Sequence, residues 1–85
     1  MVIVTESGSQ YRIFNGLCKK YDDTGAMVDV FKVWEMKAIE PGVTSWEELH
    51  ESNTPVQVGM NMYIAGKDNW WISTPVVEMH EWLGD

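Results

Sequence analysis

Residues 10–21 read Gln-Tyr-Arg-Ile-Phe-Asn-Gly-Leu-Cys-Lys-Lys-Tyr, and this stretch decides the class of fold. Before the central Asn15-Gly16, Tyr11 and Ile13 alternate with their neighbours at the period of a β-strand. Asn-Gly is the dipeptide that most strongly favours a two-residue hairpin turn, because both of its residues tolerate positive φ. The stretch is therefore predicted to form two antiparallel strands, residues 10–14 and residues 17–21.

Further strands are predicted on both sides of this hairpin. Residues 2–5 are a β-branched run followed by a turn at residues 6–9, and residues 22–25 form another loop. Residues 27–39 fit a period of two, although Phe31, Trp34, Ala38 and Ile39 also fit a helical stripe. The β-branched and aromatic first half favours a strand, whereas residues 35–40 have a helix-forming composition and could bend away or turn helical.

The second half of the chain contains the clearest alternation. Residues 55–65 are predicted to be one half-buried strand, with Gly59 at a bulge or bend. A hairpin loop at residues 66–69 leads into a strand over residues 70–79. Pro75 cannot donate a backbone hydrogen bond, so this last strand is expected at a sheet edge or broken at the proline.

One short helix is predicted near residues 45–52. Ser45 and Glu48 have the spacing of a capping box, in which each side chain bonds the backbone amide of the other residue. Trp46 and Leu49 lie three residues apart and are expected to pack this helix against the sheet.

These elements predict a mainly β fold. We expect a small open barrel or roll of SH3-like size, with about six short antiparallel strands and one helix. The 85 residues are too few for two cores, so residues 1–85 are expected to form a single domain.

Charge restricts the partners. The chain has 13 acidic and 6 basic side chains and a net charge of -7, which repels phosphate backbones and anionic lipid. We therefore expect no direct nucleic-acid binding and no membrane association, and no window approaches the ~18 apolar residues of a membrane span. The charge suits a basic partner, or an acidic nucleic-acid mimic that inhibits a DNA-binding protein.

The sequence favours a reducing compartment and offers no catalytic signature. The single cysteine, Cys18, cannot form an intramolecular disulfide, which predicts a cytoplasmic location. Lys19 and Lys20 could lower the pKa of the Cys18 thiol only if they faced it, and adjacent residues of a strand point to opposite faces. Cys18 is therefore interpreted as a buried small apolar residue. Neither His50 nor His80 has the spacing of a catalytic or metal-binding motif. No enzyme, cofactor or metal is expected.

Two stretches near the ends of the chain carry a resemblance to a known group. Thr5-x-Ser7-Gly8-Ser9-x-Tyr11 and Ser73-Thr74-Pro75-Val76-Val77-Glu78 resemble small proteins encoded by actinobacterial phages, mycobacteriophages in particular, a group with no assigned function. The resemblance implies an origin more than an activity: a protein made inside an infected bacterium, where many small phage proteins act by binding a host protein. In physical terms, the same residues form a turn and a proline-interrupted strand, so they are expected to specify architecture.

The tryptophans supply the main functional hypothesis. Five Trp residues exceed what a small core easily buries, and the adjacent Trp70 and Trp71 must lie on opposite faces of a strand. The outward indole requires a cover, which is either intramolecular, from the Trp46 helix or the C-terminal tail, or an interface with a host protein or a second copy of this chain. The predicted contact residues are Trp70, Trp71, Trp46 and Trp82, with Glu47, Glu48 and Glu51 for charge steering. A small enzyme is the least favoured alternative.

Overall fold

The computed structural model describes residues 1–43, 45, 47 and 51–81. Its strands are β1 (Val2–Thr5), β2 (Gln10–Phe14), β3 (Leu17–Tyr21), β4 (Met27–Lys32), β5 (Glu35–Ile39), β6 (Asn61–Ala65), β7 (Trp70–Ile72) and β8 (Val76–His80). They form a five-stranded sheet of order β4-β3-β2-β1-β8 and a three-stranded sheet of order β5-β6-β7. The mainly β expectation is confirmed, with eight described strands in two antiparallel sheets instead of about six, and with no closed barrel among them.

The Asn15-Gly16 hairpin forms as the sequence predicts. Asn15 has φ 52° and Gly16 has φ 76°, which are the two positive values that a type I′ turn requires. The flanking strands pair from Gln10 opposite Tyr21 to Phe14 opposite Leu17. This register places Tyr11 and Ile13 on one face of the sheet and Arg12 on the other.

The turn after β1 contacts the segment that precedes β8. The amide of Glu6 donates to the carbonyl of Pro75 at 2.8 Å, and the amide of Ser7 donates to Oγ1 of Thr74 at 3.0 Å. Thr5, which is buried, pairs with Val76. The two motifs from opposite ends of the sequence therefore contact each other, as expected of segments that specify architecture.

Residues 27–39 form two strands rather than one. The amide of Val33 donates to the carbonyl of Gly16 at 2.7 Å, and the next amide, that of Trp34, donates to the carbonyl of Ala65 at 2.8 Å. Between these two residues the chain leaves one sheet and enters the other, so β4 and β5 belong to different sheets. The bend is confirmed, whereas the helical alternative for residues 35–40 is wrong, because β5 pairs along its length with β6.

The predicted strand over residues 55–65 is only half correct. Gly59 has φ 93°, and its amide donates to the carbonyl of Val76 at 2.8 Å. The chain therefore turns here, and β6 begins at Asn61. Tyr63 and Ala65 are buried, as are Met62 and Ile64 on the other face, so the strand is covered on both faces and not on one.

The predicted strand over residues 70–79 is broken at Pro75, as expected. β7 pairs with β6 in the three-stranded sheet and β8 pairs with β1 in the other. Val77 in β8 is 51% exposed. The register against β1 shifts by one residue at this point, and the shift leaves Val77 without a cross-strand pair.

Much of the predicted helix at residues 45–52 lies outside the described residues. Within it, Glu47 and Glu51 have helical backbone. Trp46, Glu48, Leu49 and His50 of that helix and Trp82 of the C-terminal segment lie outside the described residues.

The main core lies between the two sheets. It is built from Ile3, Tyr11, Cys18, Met62, Ile64 and Val76. A second cluster of Ile39, Tyr63 and Ala65 lies on the opposite face of the three-stranded sheet, against Val43. The three-stranded sheet thus has a fully internal face and a partly covered outer face.

Gly8 offers a test of the contact between two turns of the five-stranded sheet. Its φ is 92°, and an added Cβ would lie 2.9 Å from Cβ of Asp23. Gly25 has a similar φ of 86° with nothing within 4 Å of an added Cβ. We expect Gly25→Ala to lower the free energy of unfolding by about 1 kcal/mol through backbone strain alone, and Gly8→Ala by about 2–3 kcal/mol because the steric clash is added.

Urea denaturation of both variants measures this difference. Equal losses in the two variants would show that the turn at residues 6–9 does not depend on close packing against Asp23.

Candidate partner-binding surface

The outer face of the three-stranded sheet carries exposed aromatic and aliphatic side chains. Register pairs Tyr63 with Ile72 and Ala65 with Trp70, so these four side chains share the face that points away from the main core. The ring centroids of Tyr63 and Trp70 are 6.1 Å apart. We call the surface formed by Tyr63, Trp70 and Ile72 the aromatic face.

The exposed part of this face is apolar. Trp70 is 51% exposed and Ile72 is 43% exposed, whereas Tyr63 beneath them is buried. Trp34, at the junction of the two sheets, is 64% exposed, and its amide bonds the carbonyl of Ala65. Two tryptophans therefore present large apolar area to solvent at positions joined by the same strand, β6.

A buried cation and a carboxylate lie on the same sheet face. Nζ of Lys37 is 5.5 Å from the centroid of Tyr63 and 3.5 Å from a carboxylate oxygen of Glu35. Burial, and secondarily the charge of Glu35, raises the pKa of Tyr63. The Lys37 contact holds the Tyr63 ring in place beneath Trp70 through a cation–π interaction.

Trp70 and Trp71 divide between the two faces of β7, as the sequence predicts. Trp71 packs against the main core, with its ring centroid 4.8 Å from that of Phe31. Nζ of Lys20 lies 4.8 Å from the Trp71 ring. Trp71 therefore supports the interior, and the exposed contact area of this pair belongs to Trp70.

The other predicted contact residues are described only in part. Glu47 and Glu51 are exposed. Trp46, Trp82 and Glu48 lie outside the described residues, so the structure does not relate them to the aromatic face. Sequence reasoning did not select Ile72 or Tyr63; their signal was their alternation with Trp71 and Ile64, which places them on the Trp70 face once the pairing of β6 with β7 is known.

Cys18 lies in the main core, as the sequence predicts. It is fully buried, and burial, with a smaller effect of the Asp29 charge, raises its pKa to about 12. The expectation that neither neighbouring lysine faces it is wrong for Lys20, which is two residues away and shares the inner face. Lys20 lowers the thiol pKa, but burial and Asp29 outweigh it. The thiol is therefore protonated and shielded at neutral pH.

The described histidine, His80, lies on the opposite sheet face from Cys18. Nδ1 of His80 lies 3.2 Å from a carboxylate oxygen of Glu78, on the outer face of the five-stranded sheet. Cys18 lies on the inner face of that sheet. In the part of the chain that the structure describes, no group of three or more His, Cys, Asp or Glu side chains is arranged to hold a metal ion. The same part contains no helix long and apolar enough to cross a membrane.

Carboxylates are spread over both sheets. Within the described strands, no strand carries more than one: Asp29 on β4, Glu35 on β5 and Glu78 on β8. Asp22 lies in the turn after β3, where its hydrogen bond with the Thr24 side chain, together with backbone amides, lowers its pKa. A nucleic-acid mimic requires carboxylates in a row with the spacing of phosphates, and the strands do not supply such a row.

Comparison of the chain with protein-family models, with curated proteins and with solved structures finds no match. The functional argument therefore rests on the geometry of the surfaces.

The different environments of Trp70 and Trp71 predict different effects on stability. Trp71→Ala is expected to lower the free energy of unfolding by about 3 kcal/mol, because it leaves a cavity beside Phe31 and uncovers Lys20. Trp70→Ala is expected to lower it by about 1 kcal/mol or less, because half of that side chain is already in water. Guanidinium denaturation of both variants measures the difference; a larger loss for Trp70→Ala would contradict the assigned faces.

The raised pKa values of two core side chains, Cys18 and Tyr11, predict a loss of stability at alkaline pH. Burial raises the pKa of Cys18 from its ordinary 9.0 to about 12 and that of Tyr11 from 10.0 to about 12, the latter with a smaller effect of Cys18. Since both pKa values are higher in the folded protein, their contribution is complete below about pH 9 and is lost as the pH rises towards 12. Urea midpoints are therefore expected to be constant up to about pH 9 and to fall steadily from there to about pH 12.

Cys18→Ala is the matched control for this prediction, because it removes one of the two titrating groups. Its midpoint is expected to fall less steeply over the same range. A slope identical to that of the parent protein would exclude the Cys18 thiol as a source of the alkaline loss.

Proposed function

We propose that the protein is a small binding module that attaches to another protein through the aromatic face. The observation that carries this proposal is the half-exposed Trp70 beside Ile72, on a sheet face whose deeper layer, Tyr63 and Ala65, is already packed. A rigid apolar surface on a strand is well suited to binding because it needs little ordering when a partner arrives.

The available apolar area is sufficient for a binding anchor. A tryptophan buries about 150–250 Å² when fully covered. Covering the exposed half of Trp70 removes about 100 Å² from water, which stabilises a complex by about 2–3 kcal/mol. Tryptophan is the residue type most enriched among the side chains that dominate binding energy. Trp34, if covered by the same partner, adds a similar amount.

Acidic residues favour a partner with a basic rim. The chain carries a net charge of -7, and Glu47 and Glu51 are exposed, whereas the charge of Glu35 on the Trp70 face is offset by its ion pair with Lys37. These charges accelerate encounter with a basic surface and discriminate against an acidic one. The partner surface is therefore apolar at its centre and basic at its edge.

The resemblance to actinobacteriophage proteins suggests where to search for this partner. A protein of an infected cell meets bacterial cytoplasmic proteins, and a buried free thiol such as that of Cys18 suits a reducing compartment. We therefore propose a bacterial host protein as the occupant of the aromatic face, with a second copy of this chain as the competing outcome.

Photo-crosslinking from the aromatic face tests the proposal. Ile72 is replaced by benzoyl-phenylalanine and the protein is irradiated in an actinobacterial extract, with the exposed Val77 replaced in the same way as the control. We expect a discrete adduct from position 72 and none of that mass from position 77. Unlabelled parent protein should compete for the adduct, while Trp70→Ala should compete at least about tenfold less well because it lacks the anchor.

Two results would contradict the proposal. Equal adducts from positions 72 and 77 would mean non-specific contact, and equal competition by Trp70→Ala would mean that the indole contributes nothing. Sedimentation equilibrium of the isolated protein separates the two occupants: a dimer that Trp70→Ala weakens identifies the second copy.

A further inference from the structure

The outer face of the five-stranded sheet has a composition opposite to that of the whole chain. Register aligns Arg12 with Lys19 and Lys19 with Val30, and in the next row Leu17 with Lys32. These side chains share the face that points away from the main core, since Tyr11, Cys18 and Phe31 point inward. We call the surface formed by Arg12, Leu17, Lys19, Val30 and Lys32 the basic face.

Half of the basic side chains of the protein lie on this face. The chain has 6 Lys and Arg against 13 Asp and Glu, yet three of the six, Arg12, Lys19 and Lys32, are on β2, β3 and β4 here. Among the described strand residues, the carboxylate on the same face is Glu78 on β8, at the opposite edge of the sheet. The face is therefore locally positive on an acidic protein.

Two of these cations are held directly opposite each other. Arg12 and Lys19 are cross-strand partners. The Arg12 guanidinium lies 4.5 Å from the centroid of the Tyr21 ring, and its Nη2 donates a long bond of 3.5 Å to Oε1 of Gln10. Stacking fixes the plane of the guanidinium, and its remaining N–H groups can bind a carboxylate in a bidentate geometry.

Apolar side chains alternate with the cations. Leu17 lies opposite Lys32 and Val30 lies opposite Lys19, and each of the two apolar side chains is 44% exposed. Within the described residues, neither Arg12 nor Lys32 forms an ion pair with a carboxylate. A matching ligand must therefore present carboxylates and apolar groups together.

We propose that the basic face binds an acidic, partly apolar segment of another protein. Arg12 on β2 and Lys32 on β4 pair with its carboxylates, and Leu17 and Val30 contact its apolar side chains. Nucleic acid fits less well because the net charge of -7 repels a polyphosphate and because Arg12 already covers the Tyr21 ring, which removes a stacking platform. The ligand lies on the face and not along the edge of β4, where the amide of Val30 already bonds the Asp29 carboxylate at 2.8 Å.

Fluorescence anisotropy with defined probes tests this second surface. The probes are an octapeptide of alternating glutamate and leucine, the same peptide with glutamine for glutamate, and a thymidine octanucleotide. The glutamate peptide is expected to bind at least about tenfold more tightly than the glutamine peptide, and to weaken as salt is raised. Arg12→Gln and Lys32→Gln are each expected to weaken it by about fivefold or more.

Matched controls separate this surface from general charge and from the aromatic face. Lys67→Gln removes the same charge from the exposed loop between β6 and β7 and is expected to change affinity by less than about twofold. Trp70→Ala is expected to bind the peptide as the parent does, so failure here and failure of the aromatic face are distinguishable. Circular dichroism checks that Arg12→Gln folds. Lys32→Gln, at an exposed position, is an independent variant.

Four outcomes would overturn the proposal. They are the absence of binding by the glutamate peptide, equal binding of the glutamate and glutamine peptides, an equal loss on Lys67→Gln, and tighter binding of the oligonucleotide than of the glutamate peptide. The last result would identify the face as a nucleic-acid surface.

Discussion

The contact between the turn after β1 and the Thr74-Pro75 segment fixes the position of the two sheets against each other. Pro75 separates β7 from β8, and its carbonyl accepts a hydrogen bond from the amide of Glu6 at 2.8 Å. The side-chain oxygen of Ser73 accepts a hydrogen bond from the amide of Met62 at 3.0 Å. The amide of Val76 donates one to the carbonyl of Met60 at 2.8 Å. The same short segment thus bonds β1 on one side and the start of β6 on the other. It closes a sequence separation of 67 residues between Ser7 and Thr74, and the entropic cost of that long-range closure must be offset by these contacts.

The sequence predicts local pairing well and changes of sheet poorly. The Asn15-Gly16 hairpin is correct because its turn chemistry is contained in two residues. Residues 27–39 keep a strand period through the point at Val33 and Trp34 where the chain changes sheets, because both strands have the same period of two. Periodicity reports which residues share a face within a strand and does not report which strand lies beside it. That is also why residues 55–60 were predicted to extend β6: the alternation there is real, but Gly59 turns the chain.

The candidate surfaces were likewise predictable from the sequence only where strand geometry alone determines them. The opposite orientations of Trp70 and Trp71 follow from strand geometry and needed no knowledge of the fold. That Trp70 and Ile72 share a face also follows from strand geometry, but the association of this pair with Tyr63 needed the pairing of β6 with β7. The row of Arg12, Lys19 and Val30 needed the register of β2, β3 and β4. A sandwich of two small sheets has two outer faces, and side chains far apart in sequence meet on them. Composition reported the net charge of -7, but it concealed that half of the basic side chains share one face.

Lys20 shows why a count of aromatic residues overestimates the apolar surface left for binding. It lies on the inner face of β3, with Nζ 5.6 Å from the Tyr11 ring and 4.8 Å from the Trp71 ring, and it pairs across the strand with Asp29. A cation between two sheets loses hydration, and aromatic faces together with a carboxylate compensate part of that loss. Tyr11 and Trp71 are therefore needed inside the protein to accommodate a charge. Among the described residues, the aromatic side chains with large exposed fractions are Phe14, Trp34 and Trp70. Trp34 lies at the junction of the two sheets, and Trp70 lies on the outer face of the smaller sheet.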